Sequence, residues 1–304
     1  MNFEKTAKSG QICLSTVTTD SFVPGTLVTL YTFLKYNKWF KGEIVIFHDG
    51  LTDENKNYLS NIHPRVSFLG ISEKIKAKAE KIAEEFPGFA KKKARFYSLE
   101  TFRLRDFEKI LFIDSDLLFR DSVGDLLELD HDFIVCGDGF HYQERKREWL
   151  AIPGDPPVIT AETHLFDNTF NSGFMIISNK FLNDAIYEKL LNLIDARLFR
   201  KNTAKLADQM VLNVYFAGKQ HIVSAKYNFV LAHRRAIQKF EGLTQNEASV
   251  FHFNGSVKPW NADRVLFASQ KDPAYLKAAE DWFKSYIECL QSLYIQTKTR
   301  QAFQ

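Results

Sequence analysis

Apolar residues along this chain come in short runs separated by longer amphipathic stretches. Ile12-Cys13-Leu14-Ser15-Thr16-Val17, Ile44-Val45-Ile46-Phe47 and Val66-Ser67-Phe68-Leu69 have the length and composition of buried strands. Pro24-Gly25 opens a helix through about Asn37, with Leu27, Leu30, Tyr31 and Leu34 at helical spacing. A second helix is predicted over 53–62. This βαβαβ opening implies a parallel sheet with helices on both faces, whose ligands bind beyond the carboxyl ends of its strands. The turn at 18–22 is one such end. The pattern predicts further helices over 72–86 and 93–106, and further strands at Ile110–Ile113, Phe133–Cys136, Gly173–Ile177 and Val250–Phe253. Asn179 is read as the cap of a helix to about Phe199, and 206–216 as another helix. A last helix starts at Asp272-Pro273. Its apolar face, Leu276, Ala279, Phe283, Tyr286, Ile287, Leu290 and Tyr294, suits packing on the domain or contact with a membrane surface or partner. Between 140 and 169 the pattern breaks down. Pro153-Gly154-Asp155-Pro156-Pro157 fits neither helix nor central strand, and a connection this long points to a lid or an acceptor-binding loop.

One run ends abnormally. Ile110-Leu111-Phe112-Ile113 drives straight into Asp114 and Asp116, and the chain then turns apolar again at Leu117-Leu118-Phe119. Desolvating a carboxylate costs several kcal/mol unless a cation or donors meet it. Two acids at i and i+2 face opposite ways in a regular strand, but they converge at a strand end or turn. A divalent metal there is the cheapest explanation. A helix cap at Asp114 and a solvated turn are the alternatives. An apolar run feeding Asp-x-Asp also resembles the nucleophile strand of haloacid-dehalogenase-type phosphatases, although Leu118 and the mid-chain location depart from that family's pattern.

Composition narrows the classes. The 304 residues suffice for one large domain or two small ones, and 28 Phe imply an aromatic-rich core. A net charge of +3 is too balanced to argue for nucleic acid. Local basic clusters at Lys91-Lys92-Lys93 with Arg95, at Arg145-Lys146-Arg147 and at Arg234-Arg235 read as solvated faces. Cys13, Cys136 and Cys289 are scattered and odd in number, which excludes a disulfide framework and offers no zinc spacing. Cys13 and Cys136 are expected as core thiols. No apolar stretch is long enough to span a bilayer, so the expectation is a cytoplasmic protein, with peripheral contact at the inner face of the membrane through the last helix.

Four groups of residues then occur in order: Asp114-Ser115-Asp116 behind its strand; Phe170-Asn171-Ser172-Gly173; Asp208-Gln209 ahead of Val211-Leu212-Asn213; and His252-Phe253 to Gly255 with Lys258-Pro259-Trp260. The set resembles glycosyltransferase family 8, the retaining GT-A enzymes that include glycogenin and bacterial lipooligosaccharide galactosyltransferases. Thr16-Val17-Thr18-Thr19-Asp20 with Phe22 resembles that family's uridine-binding turn, with Asp20 where some members carry Asn. The resemblance covers about residues 11–265. It implies an α/β GT-A fold, Rossmann-like, with a mostly parallel central sheet, helices on both faces and a C-terminal helical cover. The catalytic domain would be 1–265, and 266–304 an amphipathic helical extension. The resemblance also implies a UDP-sugar donor, Mn²⁺ or Mg²⁺, and transfer with retention to a glycan or glycolipid acceptor in bacterial surface-glycan assembly. By position, Asp114, Asp116 and His252 match the metal ligands. Val17, Thr18, Asp20 and Phe22 match the uridine site. Gly255 and Lys258 match the diphosphate segment, Arg95 and Ser115 match further donor contacts, and Asp138, Asn171, Asp208 and Gln209 match sugar-side positions.

The residues agree with that chemistry. A departing diphosphate needs its growing charge stabilised, which a divalent cation does, and carboxylates with one imidazole suit Mn²⁺ better than all-oxygen Mg²⁺. Gln209 is a poor nucleophile. Asp208 or Asp138 is chemically better suited to covalent catalysis, whereas front-face transfer leaves Gln209 to brace the sugar. Competing readings are a phosphatase using Asp114 as nucleophile and a non-catalytic nucleotide-sugar-binding protein.

Overall fold

A computed structural model describes residues 12–142, 168–200, 206–269 and 272–302. The expected opening is present: β1 (Ile12–Thr18), α1 (Val23–Tyr36), β2 (Glu43–His48), α2 (Asp53–Ser60), β3 (Val66–Gly70) and α3 (Glu73–Glu85). β4 (Lys109–Ile113) follows, then the three-residue β5 (Leu117–Phe119), β6 (Phe133–Gly137) and β7 (Phe170–Ser178). After α4 (Asp184–Leu193), α5 (Ala196–Phe199) and α6 (Asp208–Tyr215) come β8 (His221–Val223) and β9 (Phe229–Val230). The remaining elements are α7 (Arg234–Glu241), β10 (Val250–His252), α8 (Ala262–Ser269) and α9 (Pro273–Ala302).

Seven strands form one sheet in the order β3-β2-β1-β4-β7-β6-β8, parallel except for β7, which runs antiparallel to both its neighbours. Strand alternation sends Ile110 and Phe112 to one face, where they pack with residues of α3, α4 and α6. Leu111 and Ile113 go to the other face, with α1 and Cys289 of α9. All three cysteines are free and buried. A second sheet, β5-β10-β9, stands beyond the end of β4. Its short β5 is paired on one edge with β10, and the groups on its other edge are met by α1 hydroxyls. Thr29 Oγ1 donates to the Leu117 carbonyl at 2.8 Å and accepts from its N–H at 3.0 Å, and Thr32 Oγ1 accepts from Phe119 N–H at 3.1 Å.

Two helical expectations are corrected. The segment expected as a helix over 93–106 is wound as 3-10 turns from Pro87 to Arg103. Tertiary bonds hold it in place of an α ladder. Thr101 meets Ser15 hydroxyl to hydroxyl at 2.9 Å. The fully buried Glu100 carboxylate accepts from Ser72 and Tyr187, each at 2.6 Å, and pairs with Arg103. Asn179 begins a single 3-10 turn, and the α-helical cap is Asn183, whose side chain accepts from Ile186 N–H at 3.0 Å. A second cap at Asp195 then splits α4 from α5. Of the expected irregular connection over 140–169, residues 143–167 lie outside the described residues. Among those described, no helix is long and apolar enough to cross a membrane.

Candidate active site

Asp114 to Asp116 form the turn between β4 and β5, so the two acids leave the sheet where the strand geometry no longer separates them. Two hydrogen bonds fix that turn. Asp114 N–H donates to the Gly173 carbonyl at 2.8 Å, and Phe253 N–H to the Asp116 carbonyl at 3.1 Å. Across the β5/β10 ladder, Leu117 is paired with His252. The imidazole thereby arrives beside the acids, with Nε2 3.2 Å from Asp116 Oδ1 and 3.6 Å from Asp114 Oδ2. One ligand atom from each of the three side chains lies within 4.8 Å of the others. Gly173 makes this closeness possible. A Cβ there would stand 2.5 Å from His252 Cε1 and 2.6 Å from Asp114 Oδ2.

Two carboxylates and one imidazole nitrogen make a donor set that fits a divalent ion such as Mn²⁺. The electrostatics agree. Burial and the neighbouring Asp116 push Asp114 up to about 7. Its carboxyl opens on the cleft, and water there tempers that rise. Burial also acts against Asp116, but the Lys258 ammonium and His252 outweigh it and hold Asp116 well below the usual carboxylate range. Lys258 is itself buried, ion-paired to Asp116, and donates to the Phe253 carbonyl at 2.8 Å.

Behind the acids runs a file of buried amides. His252 Nδ1 meets Asn228 Oδ1 at 2.8 Å, and Asn228 Nδ2 donates to Asn171 Oδ1 at 2.9 Å. Asn171 Nδ2 donates to Gln209 Oε1 at 3.1 Å, and Gln209 Nε2 donates to Asp138 Oδ2 at 2.9 Å. The other Asp138 oxygen accepts from Thr169 Oγ1, Phe140 N–H and His141 N–H. Asp208, at the start of α6, accepts from Ser98 Oγ at 2.8 Å. Burial raises its pKa, against the pull of Ser98, Ser172 and the Arg95 guanidinium.

A cleft of roughly 620 Å³ opens at the carboxyl ends of β1 and β4. Most of the residues singled out in the sequence line it: Val17, Thr18 and Phe22; Arg95; Asp114, Ser115 and Asp116; Asn171; Asp208 and Gln209; His252, Gly255 and Lys258. Two do not. The Asp20 carboxylate accepts from Thr52 N–H at 3.1 Å and Asn55 Nδ2 at 2.7 Å at the start of α2. Asp138 is buried behind Gln209. Lys91 and Lys92, read as solvated, also line the cleft, because the 3-10 winding turns that segment toward the end of β1. Asn228 escaped the sequence reading altogether. Its one signal is a lone amide inside the apolar run Tyr227 to Leu231.

Comparison with known proteins agrees with this geometry. The sequence pattern of glycosyl transferase family 8 matches residues 13–264. Glycogenin of Neurospora crassa is 23% identical over 265 residues, spanning 85% of this chain and 32% of that protein. A lipopolysaccharide 1,3-galactosyltransferase of Salmonella typhimurium is 23% identical over 163 residues, 51% of this chain and 45% of that one. Among solved structures, the galactosyltransferase LgtC in complex with donor and acceptor sugar analogs has a TM-score of 0.65 at 17% identity, covering 88% of this chain and 95% of that one. At that identity the likeness shows the fold alone, which is of the GT-A kind.

Proposed function

The chain belongs to glycosyl transferase family 8 and is a glycosyltransferase, and from that premise we propose that it moves a hexose from a UDP-sugar to a glycan or glycolipid acceptor, with metal dependence and retention at the anomeric carbon. The observation that carries the proposal is the meeting of Asp114, Asp116 and His252 beside Lys258 and Arg95 on one cleft. A nucleoside diphosphate needs such a concentration of ion ligands and cations, and a phosphate-free ligand does not. In this reading Asp114, Asp116 and His252 hold Mn²⁺ or Mg²⁺, which when bound supplies Lewis-acid stabilisation of the departing diphosphate. Val17, Thr18 and Phe22 form the uridine side of the cleft, and Ser115, Gly255, Lys258 and Arg95 the phosphate side. Asp20 contributes by fixing the α2 start beside the uridine turn, and Asp138 by fixing Gln209.

Gln209 offers a neutral amide, bonded at both ends to Asn171 and Asp138. It is a weak nucleophile and a rigid brace. We therefore favour front-face transfer. The acceptor oxygen bonds to the anomeric carbon on the side from which the diphosphate leaves, and the acceptor proton passes to a diphosphate oxygen. A glycosyl adduct trapped on Asp208 or any other carboxylate would contradict this. The name of the Salmonella relative and the exposed α9 residues Ile287, Leu290 and Tyr294 support a place in surface-glycan assembly at the cytoplasmic face of a bacterial membrane.

The test is a panel of UDP-sugars with Mn²⁺, reading UDP release and the product's anomeric configuration. One donor turned over well above the rest, with retention, is the expected result. Inversion would overturn the mechanism. Ion-dependent UDP binding without release from any donor would make the protein a nucleotide-sugar binder instead.

A further inference from the structure

The direction of the amide file is not arbitrary. At one end stands Asp138, whose Oδ1 accepts from Thr169 Oγ1 and two backbone N–H groups and whose Oδ2 accepts from Gln209 Nε2, so Gln209 turns its NH₂ toward Asp138 and its oxygen toward Asn171. In the middle, Gly173 N–H can only donate, and it donates to Asn171 Oδ1 at 3.0 Å. Both anchors set Asn171 the same way round, with its oxygen toward Asn228. Asn228 must then donate through Nδ2, which leaves its oxygen facing His252 Nδ1 at 2.8 Å. Asn228 has no solvent exposure, and His252 is 1% exposed. Were Nδ1 bare, two lone pairs would face each other there without water between them, a cost of the same kind as a buried unsatisfied group.

We propose that Asn228 is a positioning residue, the last link of a one-way hydrogen-bond relay that keeps the proton of His252 on Nδ1 and leaves the Nε2 lone pair for an ion held with Asp114 and Asp116. The proposal rests on the metal-site reading for its purpose, and on the protein's own hydrogen bonds for its geometry. The relay also ties ion binding to Gln209. Any displacement of Asn171 disturbs the imidazole at one end and the amide brace at the other.

The experiment uses the whole protein, labelled with ¹⁵N-histidine, with the diamagnetic ion Mg²⁺ at a level that saturates the wild-type protein, so that Nε2 faces an ion and not the bare Asp116 carboxylate. Nitrogen shifts and ring couplings identify which nitrogen of His252 carries the proton. Binding of Mn²⁺ alone is measured in parallel. Wild-type protein should show the Nδ1–H form. Asn228→Leu removes the acceptor at similar volume. It should bring in the Nε2–H form and weaken Mn²⁺ binding by about 10- to 100-fold, the usual effect of losing a partner behind a metal ligand. Asn228→Asp keeps an oxygen at the same place, and should retain the Nδ1–H form and bind Mn²⁺ more tightly than the Leu variant. A purely structural role would lower the stability of both variants and leave the ring's proton where it was, which would overturn the proposal. Should Asn228→Leu fail to fold, the wild-type and Asn228→Asp spectra still decide, because an Nε2–H ring with bare Nδ1 in either one contradicts the relay. The two readings fail separately. A wild-type protein that binds no Mn²⁺ but shows Nδ1–H sinks the metal site and spares the relay, whereas the converse sinks the relay alone.

Discussion

The absence of a side chain at Gly173 is what lets two acids and an imidazole share one point. Gly173→Ala would place a methyl against His252 Cε1 and Asp114 Oδ2. We expect turnover to fall on the order of 100-fold from the displaced ligands, and stability by about 1–3 kcal/mol from overpacking. Urea unfolding beside a UDP-release assay separates the two effects, and a variant with wild-type turnover would show that the three ligands need not converge. Asp114 gives a pH signature. Its folded pKa is raised, so in metal-free protein the carboxyl is favoured neutral. Stability therefore falls as pH climbs from the ordinary carboxyl value of roughly 4 toward about 7. An incoming ion must displace that proton, so metal affinity should rise with pH across the same window, as Mn²⁺ titrations at several pH values would show. At this scale the sequence was informative wherever polarity clashed with its surroundings. Asp114 and Asp116 stood out because carboxylates interrupt an apolar run. Asn228 carries the same kind of interruption with a weaker signal, since an amide costs less to bury than a charge. The positions of Asp20 and Asp138 away from the cleft surface depend on partners at Thr52, Asn55 and Gln209, which no local pattern reveals.

β5 shows how an element too short to announce itself becomes decisive. In the sequence its three residues were only a return to apolar character after the two acids, yet they cross into the second sheet and bring Asp116 to His252. The hydroxyls of Thr29 and Thr32 on α1 complete its free edge. Thr29→Val keeps the shape and strands the N–H and carbonyl of Leu117. Each buried group left unpaired costs roughly 1–3 kcal/mol, so we expect a loss of about 3 kcal/mol, read by denaturant midpoint. A loss below about 0.5 kcal/mol, the range of ordinary surface changes, would show that β5 does not depend on α1. The long elements were legible from periodicity: β1 to β4, β6, β7 and α1 to α3 follow their hydrophobic spacing. Pro87–Arg103 was not, because the bonds that wind it run to Ser15, Ser72 and Tyr187, far away in sequence.

At the scale of the whole molecule, α9 packs into the body of the protein. Trp282 is fully buried and lies 5.7 Å from the Trp260 ring, which in turn meets Phe22 edge-on at 5.3 Å. A line of aromatic rings thus runs from the C-terminal helix to the lip of the cleft. Trp282→Ala should cost about 3–5 kcal/mol and also weaken UDP binding through Trp260. Thermal melts with and without UDP would reveal both effects, and unchanged UDP affinity in the folded variant would show that the aromatic line carries nothing to the cleft. The packing of α9 was poorly legible: of the apolar face read from the sequence, Ala279 is buried and Tyr286 partly so, but Leu276, Phe283, Ile287, Leu290 and Tyr294 are exposed, and the face that packs is Ala278, Ala279, Trp282, Cys289 and Leu293, set by partners in distant parts of the chain.

All of this turns on a cation seated by Asp114, Asp116 and His252 that engages a diphosphate. Calorimetric titration of UDP into the protein, with Mn²⁺ and then with a chelator, tests that most directly. We predict binding with Mn²⁺ that the chelator abolishes. UDP bound equally well in the chelator's presence would contradict the account.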